Sequence, residues 1–339
     1  MVPESLLQEA RILLEKSERP LFIHDRDCDG LCAYLQLRKY VKMKGFGMAL
    51  QTGPKLDKDS LHHVLELMPD LIIVLDIPMV TQDFIDAVHL PVLWLDHHTP
   101  QERRKVTYIN PRNYGESVPT SYLAYLVSKE NIWLATIGSV FDWHIPDFLP
   151  EFKKKYPGFL KAEKHPGKIL YKTKLGKLIR VFCFMIKGKP DEVKKVTDAI
   201  FKVESPNEIV DKTSEAGKII ASHAERLEKE YGELLKTAKK ELSKDKLFVF
   251  VYPSQRTSFT TDLANELTFL HPDKVTVIGR EKSGEVKMSI RSGKVNIQEL
   301  LKKALVNVKG YGGGHEYACG ACVKKDDFDV FIENMRREL

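Results

Sequence analysis

The feature that most constrains this chain is a set of short apolar runs, each followed at once by acidic residues or histidines. Three of the runs, Leu21–Ile23, Leu71–Leu75 and Val92–Leu95, have the composition of buried strands in a parallel sheet. A fourth, within residues 132–142, is predicted to be a buried helix or strand. Because the carboxyl ends of parallel strands meet at one edge of a sheet, we expect the polar residues to converge there.

The residues at the ends of these runs are of the types that hold divalent cations. They are His24, Asp25, Asp27, Asp29, Asp76, Asp96, His97, His98 and Asp142. Any one of them alone could be a helix cap or a hydrogen-bonded core residue, but several carboxylates in one small site require cations among them. Without metal, burying so many ionisable groups would cost several kcal/mol. Oxygen and imidazole ligands favour two Mn(II) ions about 3.5–4 Å apart, with Mg or Co as substitutes.

Two motifs, in this order, resemble signatures of the DHH phosphoesterase superfamily. The tripeptide Asp-His-His at residues 96–98 matches the motif for which the superfamily is named. The segment Gly310–His315, followed by Ala318–Gly320, resembles the glycine-rich signature of the DHH-associated C-terminal domain, and Ser289–Ser292 resembles the strand before it. The resemblance implies a metal-dependent phosphodiesterase similar to the RecJ-like and NrnA-like branches.

The predicted fold class is α/β with two lobes, an N-terminal parallel-sheet DHH domain and a smaller C-terminal α/β domain, joined by a long helix. Strands alternate with helices in the first lobe, which indicates a parallel sheet; one of these strands is predicted near residues 47–51. A helical period that begins at Ser214, a plausible N-cap, predicts the long helix. The predicted divisions are a catalytic domain at 1–145, a basic helical subdomain at 146–213, a linker helix at 214–244 and a substrate-binding domain at 245–339.

The resemblance assigns a role to each candidate metal ligand. It implies that Asp27 binds one ion and Asp29 the other, and that Asp76 bridges the two. It also implies that His97 ligates a metal and that Asp142 is the aspartate of the fourth motif. The five residues named in this paragraph would be enough to bind the two metal ions expected above.

The first motif leaves one ligand position open. The RecJ-like branch has an aspartate two positions before the first ligand aspartate, and Asp25 matches it. Other members have a histidine four positions before, where this chain has Ile23, whereas His24 is only three before. Asp25 is slightly favoured over His24, and water is the third alternative. The resemblance further implies that His98 contacts the scissile phosphate, and Asp96 is expected to orient a histidine, as outer carboxylates do.

The C-terminal lobe carries the candidate substrate-binding residues. They are Arg291, Ser292, Gly312, Gly313, Gly314 and His315. The three consecutive glycines leave backbone N–H groups open to a phosphate, and the arginine and histidine would add charged donors. By resemblance, this lobe holds the nucleotide end of the substrate. The alternative is that the glycines serve backbone packing only; Ser292 and Asn265 are the weaker candidates.

Residues 152–190 contain twelve lysines and arginines but one acidic residue, Glu163. Aromatic residues are interleaved with these cations: Phe152, Tyr156, Phe159, Tyr171, Phe182 and Phe184. Such a stretch could follow a phosphate backbone and stack on bases. The alternative is a solvated lysine-rich surface whose aromatic residues belong to the core.

Nothing in the composition indicates secretion or membrane insertion. The N-terminal residues lack the basic and apolar regions of a signal peptide, and no segment approaches the ~20 apolar residues that cross a bilayer. The five cysteines do not resemble a disulfide framework. We therefore expect a cytoplasmic protein with no membrane partner. Cys319 and Cys322 are interpreted as small packing residues, with a redox or zinc role as the alternative.

The preferred functional hypothesis is an exonuclease that releases mononucleotides from short single-stranded RNA or DNA. The 3′→5′ direction is favoured by analogy with short relatives. The second hypothesis is a phosphatase or phosphodiesterase of small nucleotides, such as 3′-phosphoadenosine 5′-phosphate or cyclic or linear dinucleotides. The third is a scaffold that binds a helicase or another replisome protein, which is disfavoured because every matched ligand is present. A homodimer is possible under each hypothesis.

Overall fold

The chain folds into two compact units, each with its own β-sheet. The computed structural model describes residues 2–50, 55–254 and 257–339. The first unit contains Met1–Ile186 and Asp191–Ala221, and the second contains Lys187–Pro190 and Ser222–Leu339. The predicted α/β class is therefore confirmed.

The first unit is built on a parallel sheet. Its strands are β1 (Pro20–His24), β2 (Phe46–Ala49), β3 (Lys55–Leu56), β4 (Leu71–Leu75), β5 (Met79–Val80), β6 (Val92–Leu95) and β7 (Thr107–Ile109). Five of them lie in the order β2-β1-β4-β6-β7, and β3 pairs separately with β5. The three strands predicted from apolar runs are confirmed. The strand predicted near 47–51 ends at Ala49, and residue 51 lies outside the described residues.

Both faces of this sheet are covered, which explains why its strands are continuously apolar. In β4, Leu71, Ile73 and Leu75 pack into a core with residues of helices on one side. Ile72 and Val74 pack on the other side. All five residues are buried. Strand β4 therefore has no polar residue within it, and the first polar side chain, Asp76, comes where the strand ends.

Twelve helices follow or connect these strands in the described part of the chain. They are α1 (Glu4–Lys16), α2 (Cys28–Tyr40), α3 (Leu61–Glu66), α4 (Gln82–Val88), α5 (Thr120–Ser128), α6 (Ile132–Phe141), α7 (Leu149–Lys155), α8 (Pro166–Lys172), α9 (Lys174–Met185), α10 (Pro190–Ile200), α11 (Pro206–Val210) and α12 (Glu215–Lys240). The fourth apolar run is thus a helix, α6. The long helix α12 has residues in both units, and the Ser214 hydroxyl accepts the Gly217 N–H at 3.1 Å.

The basic stretch 152–190 is mostly helical, and its aromatic residues belong to the core. Five of the six predicted stacking residues are buried, and only Tyr171 is partly exposed. The interpretation that these rings stack on bases is therefore wrong for those five, because side chains of the helices pack into the core that also covers the sheet. Many of the lysines are exposed, so phosphate contact stays a prediction. The separate subdomain at 146–213 also stays a prediction.

The second unit has a mixed sheet. Its strands are β8 (Leu247–Pro253), β9 (Val275–Lys282), β10 (Glu285–Ser292), β11 (Gly310–His315) and β12 (Ala318–Lys324). They lie in the order β11-β12-β10-β9-β8, with β8 and β9 parallel and the other pairs antiparallel. Its further helices are α13 (Thr260–Leu270), α14 (Ile297–Ala304) and α15 (Phe328–Arg337). None of the helices in the described residues is long and apolar enough to cross a membrane.

The glycine-rich segment forms the edge strand β11 of this sheet. The reason for glycine at two of its positions is steric. A Cβ at Gly312 would lie 2.8 Å from the Gly320 carbonyl oxygen, and one at Gly314, whose φ is +147°, would lie 2.4 Å from the Ala318 carbonyl oxygen. The glycines therefore allow a close approach to β12, and Gly313 has open space around its Cβ position. Gly312 and Gly314 thus serve backbone packing, whereas Gly313 leaves its backbone accessible.

Candidate metal centre

The carboxyl ends of the parallel strands bring the predicted ligands together. Asp25, Asp76 and Asp96 each donate a backbone N–H to the last carbonyl of the neighbouring strand, at 3.2, 3.0 and 3.1 Å. These bonds extend the sheet by one residue beyond β1, β4 and β6. Each acidic residue therefore begins beside the end of the next strand, as expected for a ligand site at this edge.

The turn between β1 and α2 places two of the carboxylates. Asp27 caps α2, and its Oδ1 accepts the Gly30 N–H at 2.9 Å. Asp29 lies in the first turn of the helix and is buried. Its two oxygens accept the backbone N–H groups of Thr120 and Ser121, at 2.8 and 3.0 Å. These donors lie at the start of α5, where unpaired N–H groups favour a carboxylate.

Asp76 lies at the centre of the site. Asp76 is only 2% exposed. Its φ of +61° is a left-handed conformation, which aspartate tolerates better than most residues. The Thr120 hydroxyl donates to Asp76 Oδ1 at 3.0 Å, and His97 Nε2 lies 3.3 Å from the same oxygen. Burial, followed by repulsion from the neighbouring carboxylates of Asp29 and Asp142, holds the Asp76 pKa well above its usual value.

His97 connects the central aspartate with the end of α6. Its Nδ1 lies 3.4 Å from Oδ2 of Asp142, the residue that caps α6. Burial raises the pKa of Asp142 to about 6, against the opposing influence of His97, His98 and Arg112. The fourth apolar run therefore delivers its aspartate to the same site as the three strands.

The ligand atoms form two groups that share no residue. Oxygens of Asp25, Asp27 and Asp76 lie within 4.8 Å of one another, and so do ligand atoms of Asp29, His97 and Asp142. A third combination joins Asp76, His97 and His98 within the same distance. Burial and mutual repulsion also raise the pKa of Asp27 well above its usual value. Such a concentration of buried and partly buried carboxylates with an imidazole fits binding of divalent cations.

His24 differs from the other predicted ligands. Its Nδ1 lies 2.7 Å from the Asp25 carbonyl oxygen, and its ring stacks on Tyr34 with centroids 4.7 Å apart. Burial lowers the pKa of His24 to about 4. Among the described residues it joins none of the candidate ligand groups, whereas Asp25 does. This geometry supports Asp25 over His24 as the additional ligand.

Asp96 and His98 form a pair behind the ligands. His98 Nδ1 lies 2.7 Å from Asp96 Oδ1, and the buried carboxylate also accepts the backbone N–H of His98 at 3.1 Å. The Asn110 amide donates to Asp96 Oδ2 at 3.3 Å and to the His98 carbonyl at 3.0 Å. With Nδ1 against Asp96, the Nε2 atom of His98 faces away from this pair. The geometry fits the predicted orienting role of Asp96.

Three residues around the site were not predicted in their observed roles. Thr120 contacts two candidate ligands, through its backbone N–H to Asp29 and its hydroxyl to Asp76. Tyr34 supports His24, and Tyr108 accepts a bond from the Asn110 amide at 2.7 Å. Neither tyrosine belongs to a motif that marks it as part of the site, although Tyr34 lies only ten residues after His24 and Tyr108 two residues before Asn110.

The candidate substrate residues of the second unit also lie close together. Arg291 in β10 is opposite Ala318 in β12, which is opposite His315 in β11, so the three form a row across the sheet. Arg291 Nε donates to Asn265 Oδ1 at 2.8 Å. The row ends beside Gly314, and β11 is exposed throughout. The structure thus brings together the arginine, the histidine and the glycines.

Ser292 has a local role in the structure. Its hydroxyl oxygen accepts the N–H groups of Lys294 and Val295 at 3.1 and 3.0 Å, and the residue is buried. These bonds close the turn that follows β10. Participation of Ser292 in substrate binding stays a prediction.

Two family models identify the family to which this chain belongs. The model described as the DHH family, N-terminal domain, matches residues 21–143, and the DHHA1 domain matches residues 247–339. Together they cover more than half of the chain, which therefore belongs to the DHH family. No curated protein sequence matches the chain.

Solved structures show the same fold. RecJ from Thermus thermophilus in complex with Mn²⁺ has a TM-score of 0.69 at 16% identity, covering 98% of this chain and 54% of that one. Exonuclease RecJ bound to manganese has a TM-score of 0.67 at 15% identity, covering 100% and 94%. A pGpG-specific phosphodiesterase from Vibrio has a TM-score of 0.53 at 13% identity, covering 94% and 98%. This chain thus spans about half the length of the Thermus RecJ structure.

Proposed function

We propose that this protein is a manganese-dependent exonuclease that releases mononucleotides from short single-stranded RNA or DNA, in the 3′→5′ direction. The observation that carries the proposal is the pair of three-residue ligand groups at one edge of the parallel sheet. Two ions positioned in this way are typical of enzymes that cleave phosphodiesters. The RecJ neighbours solved with manganese support the choice of metal.

In this proposal, Asp25 and Asp27 would hold one ion, and Asp29, His97 and Asp142 would hold the other. Asp76 would serve both ions, since it lies in the first group and 3.3 Å from His97 of the second. When bound, two such ions would lower the pKa of a water molecule toward neutrality and offset charge on the phosphate.

The remaining residues orient and bind the substrate. His98, held by Asp96, donates through Nε2 to a non-bridging oxygen of the scissile phosphate as charge develops there. In the second unit, Arg291 and His315 contribute positive donors, and the backbone of Gly312, Gly313 and Gly314 accepts the close approach of a terminal nucleotide. Each of these roles is a proposal that single-residue variants can test.

The decisive experiment is a time course on a 24-mer single strand, labelled at either end and supplied as RNA and as DNA. With Mn²⁺, the ladder is expected to shorten from the 3′ end with mononucleotide products. Asp76→Ala should abolish the ladder, whereas Asp86→Ala, which changes an exposed aspartate outside the site, should not. Shortening from the 5′ end would refute the polarity, and intact strands under all conditions would refute the nuclease.

A second candidate function is hydrolysis of small nucleotides. It is favoured by the burial of the aromatic residues in the basic stretch, which removes the stacking surface that a longer strand would use. The likeness to a pGpG-specific phosphodiesterase points the same way. Turnover of 3′-phosphoadenosine 5′-phosphate or a dinucleotide, but not of the 24-mer, would establish this function.

Charge reversal separates the two candidates. Lys161, Lys164 and Lys168 are exposed lysines of the basic stretch. Changing all three to glutamate should weaken degradation of the 24-mer and reduce its salt dependence, while dinucleotide turnover is unchanged. The matched control changes three exposed lysines of α12 to glutamate: Lys229, Lys236 and Lys239. Equal losses in both triple variants would show that the basic stretch has no specific role.

We also propose single-stranded oligonucleotides as the main binding partners. A helicase or another replisome protein as a partner, a homodimer and a cytoplasmic location remain predictions. Size-exclusion chromatography with light scattering tests the dimer directly. Capture of the purified helicase by the Asp76→Ala variant tests the scaffold role without interference from nuclease activity.

A further inference from the structure

The residue that follows the last metal-site aspartate has an unusual backbone. Helix α6 is capped by Asp142, and the next residue is Trp143. The Trp143 N–H donates to the Val140 carbonyl at 3.1 Å, and the His144 N–H donates to the Ser139 carbonyl at 2.9 Å. This pair of bonds defines a Schellman motif, which requires a left-handed residue just after the cap. Trp143 occupies that position with a φ of +59°.

Glycine is the residue that this position normally carries, because it adopts the left-handed conformation without steric cost. Eleven other non-glycine residues in the described part of the chain also have positive φ, but Trp143 is the single large aromatic side chain among them. A bulky residue with positive φ is an outlier, and such outliers cluster at ligand sites. The Schellman motif itself therefore does not account for a tryptophan at this position, and a role of the indole ring in ligand binding would.

The surroundings of Trp143 leave its ring accessible. The residue is 47% exposed, whereas Trp94 and Trp133 are buried in the core. The ring of His165 meets the indole at 81° with centroids 6.2 Å apart, a contact that orients the indole without covering it. Arg112 is exposed, and its backbone N–H donates at 3.0 Å to the side chain of Asn110, whose amide in turn contacts Asp96 of the site. An accessible aromatic residue thus directly follows a candidate metal ligand in the chain, and a cationic residue is anchored to the same site through Asn110.

We propose that Trp143 is a stacking platform for the nucleobase next to the scissile phosphate, with Arg112 contacting the adjoining phosphate. The proposal rests on the proposed phosphodiesterase function and adds a binding site to it. Stacking suits substrates of any sequence, because every base has a π-face. Stacking would also contribute to the binding of short substrates, because it requires only one base beside the cleaved bond.

Binding can be measured through the indole itself. Because the other two tryptophans are buried, Trp143 should dominate any change in fluorescence caused by a ligand. The probe is an adenylyl dinucleotide whose leaving oxygen is replaced by methylene, so that binding is not followed by hydrolysis. It should quench the fluorescence of the wild-type protein. The same dinucleotide without its bases should bind more weakly and cause no quenching.

Two substitutions separate the ring from the fold. Trp143→Phe keeps an aromatic face, and Trp143→Asn removes it while tolerating the left-handed backbone. The Asn variant should melt at or above the wild-type temperature, yet raise KM for the cleavable dinucleotide about tenfold, with little change in kcat. The KM of the Phe variant for the same dinucleotide should stay within about threefold of the wild-type value. For the base-free dinucleotide, all three proteins should have the same KM.

The outcomes distinguish this inference from the function on which it rests. If the wild-type protein hydrolyses the dinucleotide and the Asn variant has an unchanged KM, the stacking platform is refuted and the phosphodiesterase stands. If the wild-type protein neither binds nor hydrolyses any nucleotide, the proposed function itself is refuted. An increase in KM that is equal for the base-free dinucleotide would also overturn the platform, because the loss would not depend on a base.

Discussion

The substitution Asp76→Asn is predicted to make the metal-free protein more stable than wild type. In the presence of manganese, the same variant is predicted to be less stable than wild type. In the metal-free protein, the Asp76 pKa is held well above its usual value by burial and by the carboxylates of Asp29 and Asp142. Ionising this group therefore opposes folding. Asparagine has the same shape, carries no charge, tolerates the φ of +61° and can still accept the Thr120 hydroxyl. It should relieve the repulsion without creating a cavity.

The sign and size follow from linkage. The folded state binds more protons than the unfolded state between about pH 4, where an unfolded aspartate titrates, and the raised folded pKa. Stability of the metal-free wild type therefore falls as pH rises through that window. Each unit of elevation costs about 1.4 kcal/mol, and the cost at pH 7 cannot exceed about 4 kcal/mol. The Asn variant should therefore be more stable than the metal-free wild type by up to about 4 kcal/mol at pH 7, which raises its melting temperature.

Manganese should invert the order of stability. An ion present at about one thousand times its dissociation constant stabilises the native protein by about 4.1 kcal/mol, and the Asn variant loses most of this gain. The measurement is thermal melting of wild type, Asp76→Asn and the exposed control Asp86→Asn at about pH 5 and pH 7, with chelator or with Mn²⁺. In chelator, the gap between the Asn variant and wild type should grow across this pH range. A variant less stable than wild type in chelator at neutral pH would refute the reasoning.

Three further predictions concern single contacts. Thr120→Val removes the hydroxyl that positions Asp76 and should weaken manganese affinity about tenfold, as measured by calorimetry, with little change in melting temperature. Unchanged affinity would contradict that positioning role. Asp96→Asn should lower kcat at least about tenfold by disorienting His98 while manganese affinity stays the same, and a parallel loss of affinity would show that it supports the ligands instead. Asp70→Ala removes the acceptor of the Ser17 hydroxyl and of two backbone N–H groups and should cost about 1 kcal/mol in urea unfolding, with activity intact in the folded protein.

The parts of the site that could be predicted from sequence are those with local causes. Asp25, Asp76 and Asp96 each follow an apolar strand, and the carboxyl ends of parallel strands meet whatever the rest of the chain does. The apolar run before Asp142 ends in the same way, although it is a helix. In these cases, the local sequence around a residue is enough to predict that its side chain lies at this edge of the sheet.

The parts that could not be predicted depend on contacts between distant segments. The N–H groups that bind Asp29 come from Thr120 and Ser121, about ninety residues further along the chain. The glycine-rich segment forms a strand only because β12 supplies a partner, which outweighs the low strand propensity of glycine. The aromatic residues of 152–190 also appear available for stacking until the helices that bury them are placed, because lysines surround them in sequence.

The distribution of the ligands along the chain has a kinetic consequence. They extend from Asp25 to Asp142, on segments that become neighbours only when β1, β4, β6 and α6 have assembled. A chain that is still forming its sheet therefore has no complete site for manganese. The ion stabilises interactions made late in folding, so it should slow unfolding and leave the folding rate almost unchanged. In a cell, metal supply would then control how long each folded molecule survives, rather than how quickly new molecules fold.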